Sequence, residues 1–133
     1  MSLFVKSIVL LSMFTLAWGN VEVHMTIENG LEGKEDLNIH CKSKDNDLGQ
    51  HLLHINQIFQ WRFGTSVFGK TLFSCSFQWG NAALLHFDAY DQNRDIQLSA
   101  DCHWYIHKDG PCRYERYYNE PPSKAVRKCY KWN

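Results

Sequence analysis

The run Thr71-Leu-Phe-Ser-Cys-Ser-Phe-Gln-Trp79 constrains this chain more than any other stretch. Thr71, Phe73, Cys75, Phe77 and Trp79 share one parity, and Leu72, Ser74, Ser76 and Gln78 share the other. Successive side chains of a strand point to opposite faces, so three aromatics and a cysteine gather on one side. A helical period of about 3.6 residues would mix the two sets. A face this bulky needs a second layer over it. The fold class expected is all-β: an antiparallel two-sheet β-sandwich, held by disulfides, with this run as a central strand.

The rest of the chain repeats the pattern. Residues 21–28 alternate without a break, with Val21, Val23, Met25 and Ile27 expected inward, and Asn29-Gly30 then supplies a turn. Leu37, Ile39 and Cys41 share a face, as do Phe59, Trp61 and Phe63, and again Cys102, Trp104 and Ile106. Residues 43–49 and 91–95 are polar loops, and 51–57 reads equally as loop or strand. Lys108-Asp-Gly-Pro111 turns the chain, and residues 124–132 form a short basic tail with the makings of an edge strand. About eight strands at this spacing fit a sandwich or barrel.

Residues 1–19 stand apart from this pattern. They carry one charge, Lys6, before an apolar run over residues 8–18, which is shorter than the roughly 20 residues a membrane helix needs. Ala17-Trp-Gly19 offers small residues where a signal peptidase cleaves. The expectation is a signal peptide over 1–19 and one secreted domain over 20–133. That domain carries 13 basic and 14 acidic side chains, a formal charge of −1. Such a balance argues against a nucleic-acid partner and against a cationic peptide that inserts into membranes.

Five cysteines in an exporting chain suit two bridges and a remainder. Cys41, Cys75, Cys102 and Cys112 each follow the parity of nearby apolar residues and are the expected bridge partners. Four cysteines allow three pairings. The pairing expected is Cys75–Cys102 with Cys41–Cys112, which leaves Cys129 in the tail. A monomer is expected, with a dimer through Cys129 as the alternative.

His40-Cys-Lys-Ser-Lys-Asp-Asn-Asp-Leu-Gly49, the alternation Phe59-x-Trp61-x-Phe63, the central run through Trp79, Cys102-x-Trp104-x-Ile106 and Gly110-x-Cys112 together resemble the plant self-incompatibility protein family, the S-protein homologues. The resemblance covers nearly all of residues 20–133. It implies a small secreted β-sandwich with two disulfides and no catalytic activity or cofactor. It also implies a ligand recognised by a cell-surface receptor on plant cells through hydrophilic loops. The positions matching those loops are Lys44, Asp45, Asn46 and Asp47, and Asp91, Gln92, Asn93, Arg94 and Asp95. Cys129 falls outside the family's four-cysteine pattern.

The residues themselves bear on other chemistries. The seven histidines invite comparison with a ribonuclease, but two-histidine acid–base work needs both rings at one phosphate. His103 and His107 share a strand face some 13 Å apart by strand rise, roughly 3.3 Å per residue. No metal site is expected, since Cys102 points away from both. Asp45-Asn-Asp47-x-Gly49 begins like a calcium loop, but His54 stands where a bidentate Glu would be required. The 19 aromatic residues leave an extracellular carbohydrate-binding module as the alternative function, with Tyr105, Tyr114, Tyr117, Tyr118, Tyr130 and Trp132 as candidate contacts.

Overall fold

The computed structural model describes residues 21–133, so the segment read as a signal peptide lies outside the described residues. Nine strands follow in order: β1 (Glu22–Asn29), β2 (Leu37–Lys42), β3 (Asp47–Leu53), β4 (Ile58–Gly64), β5 (Leu72–Gln78), β6 (Leu85–Asp91), β7 (Asp101–His107), β8 (Gly110–Glu115) and β9 (Val126–Cys129). One turn of helix, α1 (Gln92–Asp95), links β6 to β7. The strands form two sheets, β4-β1-β7-β8-β9 and β3-β2-β5-β6. The segment that read equally as loop or strand falls largely in β3. Every pairing is antiparallel except β1 with β7, which run parallel in the middle of the five-stranded sheet.

Alternation explains why these strands form and which way they face. Val23, Met25 and Ile27 of β1, Phe73, Cys75 and Phe77 of β5, and Cys102, Trp104 and Ile106 of β7 are all buried. Each such apolar side chain contributes on the order of 1.5–3 kcal/mol by leaving water. Val21 is 41% exposed rather than inward, because it precedes the strand. Asn29 and Gly30 do not close a hairpin. Asn29 ends β1 fully buried, donating to the carbonyls of Glu35 and Leu53 and accepting from the Leu31 N–H. A buried amide survives only when satisfied, and here it pins the crossing from one sheet to the other.

The end of the chain ties the sheets together. Beyond β9, the Tyr130 N–H bonds to the Pro111 carbonyl and the Asn133 N–H to the His86 carbonyl in the other sheet. Trp132 packs on Phe77 with ring centres 5.2 Å apart and donates its indole N–H to the Lys108 carbonyl. Gly110 makes this strap fit. Its φ is +149°, and a Cβ there would stand 1.8 Å from the Tyr130 carbonyl oxygen.

The expected disulfide pairing is corrected. Cys41 bonds to Cys75 and Cys112 to Cys129, while Cys102 is a buried free thiol. Register gives the reason. Cys41 lies directly opposite Cys75 on β2 and β5, and Cys112 directly opposite Cys129 on β8 and β9. Both bridges therefore staple neighbouring strands within a sheet, and neither joins the two sheets. Cys112 also sits opposite Tyr105, a residue on the outer parity of β7, so it belongs to the outer face of its sheet. With Cys129 bonded in its own chain, it offers no spare thiol for a dimer. Peptide mapping without reductant is expected to recover the 41–75 and 112–129 bridges and one thiol, Cys102, that alkylates only after unfolding. Replacing Cys41 and Cys75 by Ala should lower stability by roughly 4 kcal/mol on the chain-entropy account.

Candidate functional site

The first expected recognition segment is an exposed hairpin tip. Lys44, Asp45 and Asn46 lie between β2 and β3, and Asp47 opens β3; all four are exposed. Their backbone is nevertheless fixed. The Ser43 N–H donates to the Asn46 carbonyl, and the Asn46 N–H to the Ser43 hydroxyl. Asp47 accepts from the Gly49 N–H at 2.9 Å and pairs with the His40 ring. The Gly49 N–H and the His40 ring together hold the Asp47 carboxyl below its ordinary range. The start that read like a calcium loop is thus a strand-connecting turn in which the Asp47 carboxylate is taken up by the Gly49 N–H and the His40 ring. The Cys41–Cys75 bridge lies at its base.

The second expected segment is mostly not a surface. Asp91 caps α1 by accepting from the Asn93 N–H, and Asn93 is exposed. Gln92 and Asp95 are buried. The Gln92 amide donates to the Ser66 carbonyl and accepts from the Thr71 N–H, which fixes the 65–71 loop from beneath. The expectation of a five-residue contact loop is corrected accordingly: a polar sequence here serves the interior.

Asp95 belongs to a buried ionic cluster. Arg113, which nothing in the sequence singles out, points inward from β8 and is 3% exposed. Its guanidinium donates to Asp95 at 2.6 Å, to Glu115 at 2.7 Å and to the Cys102 sulfur at 3.1 Å. Its flat face lies 4.2 Å from the Trp104 ring centre. Arg94 donates to both Asp95 oxygens, at 2.7 Å to Oδ1 and 2.8 Å to Oδ2. Burial alone would raise the Asp95 carboxyl, but hydrogen bonds from Arg94 and Arg113 outweigh it and hold the group below the usual range. Burial pushes the Cys102 thiol up to about 11, so at neutral pH it is an uncharged acceptor for Arg113.

The histidines do not converge. His54 pairs with Asp36 at 2.7 Å, His103 with Glu28 at 3.1 Å and His107 with Glu32 at 2.9 Å. His51 stacks on Phe59. Among the described residues no three His, Cys, Asp or Glu side chains gather as metal ligands, and no helix is long and apolar enough to cross a membrane.

Two surface features remain. An open groove runs between the 43–46 tip, the end of β4, the 65–71 loop and the start of β5. Lys42, Lys44, Arg62 and Lys70 line it, with Asp45 as the one carboxylate and Phe63, Leu72 and Phe73 as apolar surface. On the outer face of the five-stranded sheet, His103 and Tyr105 stack at 4.4 Å, and Tyr114, 60% exposed, stands edge-on to Tyr105.

This geometry defines a class: a small two-sheet β-domain whose bridges lie within each sheet and which presents a polar hairpin held by internal hydrogen bonds. The chain belongs to the plant self-incompatibility protein S1 family, whose model matches residues 24–132. It is 41% identical over 115 residues to S-protein homolog 5 of Arabidopsis thaliana, covering 86% of this chain and 80% of that protein. It is 38% identical over 109 residues to S-protein homolog 29 of the same plant, covering 82% and 76%. Its fold is similar to a solved self-incompatibility protein homologue, described as one of a widespread family of small, highly stable, secreted plant proteins. The TM-score is 0.56 at 18% identity, covering 86% of this chain and 97% of that one.

The ionic cluster sets a stability prediction. Asp95→Asn should cost about 3 kcal/mol or more, because it leaves Arg113 buried without its counter-charge. The double replacement Asp95→Leu with Arg113→Met should cost less than that single change. Because the folded carboxyl titrates below its unfolded value of about 3.9, its contribution is complete above that pH and is lost as pH falls through the folded value. The thermal midpoint should therefore fall below about pH 4, and fall less steeply in Asp95→Asn.

Proposed function

We propose that this protein is a secreted, non-enzymatic ligand recognised by a cell-surface receptor of plant cells through its hydrophilic hairpin tip. One observation carries the reading: Lys44, Asp45, Asn46 and Asp47 project into solvent from a turn that is hydrogen-bonded internally and anchored by a disulfide. A rigid scaffold holding a polar loop suits recognition, since little conformational freedom is lost on binding. The family assignment supports the reading, as does the description of the solved neighbour as a secreted plant protein. Export would follow cleavage after residue 19.

The test uses labelled protein spanning residues 20–133 on living plant cells. Binding is expected to saturate, and simultaneous replacement of Lys44, Asp45 and Asn46 by Ala should weaken it about tenfold or more with the thermal midpoint unchanged. Cell binding that survives this change intact would refute recognition through the tip.

A carbohydrate-binding module is the second reading, favoured by the His103–Tyr105 stack and the exposed Tyr114 ring on the outer sheet face. Under it, Tyr114→Ala should abolish saturable binding to cell-wall glycans, while the tip variant binds them as well as the original chain does.

A further inference from the structure

We propose that the groove beside the hairpin tip is a docking site for an extended acidic peptide segment of a partner protein. The inference rests on the receptor reading and adds the chemistry of what is recognised. Lys42, Lys44, Arg62 and Lys70 are spread around the same groove against the single carboxylate of Asp45. Residues 20–133 sum to −1, so a local excess of three positive charges is a marked asymmetry on a nearly neutral chain.

Their charges are also available. Arg94, Arg113 and Lys108 are occupied by Asp95, by Asp95 with Glu115, and by Glu35. The groove lysines share with Lys34, Lys124, Arg127 and Lys131 the lack of a close carboxylate among the described residues, and differ from them in lining this groove. Among the described residues Lys42, Lys44 and Lys70 form none of the ion pairs within 4.0 Å, and Arg62 reaches only Glu22, at 3.7 Å with both side chains over 60% exposed. Such exposed contacts are weak and are exchanged readily for a better partner. Four cations set around one groove supply electrostatic complementarity to an acidic chain, which acts on encounter rate and specificity.

The groove is also held open and shaped. The tip is fixed by the Ser43 and Asn46 hydrogen bonds, and the opposite wall by the buried Gln92 amide on Ser66 and Thr71. Its apolar surface is continuous with the core: Phe63 packs on Phe73 at 4.6 Å, and Leu72 beside them is 42% exposed. β4, which supplies Arg62, Phe63 and Gly64, is one of the two edge strands of its sheet. An edge strand presents backbone N–H and C=O groups that an extended peptide can pair with. Free backbone pairing and an apolar patch suit a peptide with alternating acidic and apolar side chains. A polyuronate would use the charges but neither the edge nor the patch.

The probe is a short fluorescent peptide alternating Glu and Val, with a Gln/Val peptide of the same length as control. Fluorescence polarisation should show saturable, salt-sensitive binding of the Glu peptide and none of the Gln peptide. The triple variant Lys42→Glu, Lys44→Glu, Lys70→Glu should weaken it about tenfold or more, whereas Lys124→Glu with Lys131→Glu, away from the groove, should not. Equal binding by the triple variant, or displacement of the peptide by oligogalacturonate at lower concentration than by unlabelled peptide, would overturn the assignment. The same triple variant on living cells separates this inference from the receptor reading. Undiminished binding to cells would remove the acidic groove partner and leave a receptor in place, whereas absence of cell binding by the unaltered protein would remove the receptor itself.

Discussion

A buried ionic contact bridges the two layers, which no disulfide joins. Arg113 comes from β8 in the five-stranded sheet and Asp95 from the helical turn that follows β6 in the four-stranded sheet, and they meet at 2.6 Å in the interior. Because both disulfides lie within sheets, covalent bonds set the pairing of strands but not the stacking of layers. Stacking falls to aromatic contacts such as Phe87 edge-on to Trp104, to the Trp104 indole bonded to the Ala89 carbonyl, and to this charged pair. A buried guanidinium is costly unless its donors are used. Here Glu115, Asp95 and the Cys102 sulfur take them, and Trp104 covers the face. Cys102 thus has a structural role as a thiol, which explains its place in the core without a sulfur partner.

Much of this was legible in the chain and some was not, for reasons that can be located. The inward parity of Phe73, Cys75 and Phe77, and of Cys102, Trp104 and Ile106, follows from a period of two and survives intact. The pairing of the cysteines depends instead on which strands become neighbours, and local alternation is silent on that. At Cys112 parity itself misled. The two-residue turn of Lys108 and Asp109 places Cys112 opposite Tyr105 on the outer face and turns Arg113 inward. A charged residue reads as outward until its counter-ions are known, and Asp95 arrives from a segment eighteen residues earlier in sequence. The same blindness hid Gln92 and Asp95 inside what looked like a solvated loop. The hairpin tip was found because exposure there needs no distant partner. The groove cations Arg62 and Lys70 were missed because only the fold brings them beside Lys42 and Lys44.

The arrangement separates duties along the chain. The contacts that hold the layers draw chiefly on β6, α1, β7, β8 and the strap after β9, while the tip and the groove beside it draw on β2, β4, β5 and the loops between them. Apart from Asp47, whose carboxylate holds the Gly49 N–H and the His40 ring, the side chains at the tip point to solvent. Their identity can therefore change with little consequence for stability, provided that the Ser43 and Asn46 hydrogen bonds and the Gly49 backbone are kept; the φ of Gly49 is +76°.

The parallel pairing of β1 with β7 also bears on how the molecule is made. β1 is the earliest described strand, yet it stays flanked on one side by nothing until Asp101 to His107 have been synthesised. The other sheet can assemble sooner, since β2, β3, β5 and β6 are all complete by Asp91 and the Cys41–Cys75 bridge can close on it. Made from its N-terminus, the chain would pass through a stage with one complete sheet and a naked aromatic face awaiting its lid. Contacts between segments so far apart are slow to find one another. Apolar surface left bare for such an interval is prone to aggregate, whatever the stability of the finished sandwich.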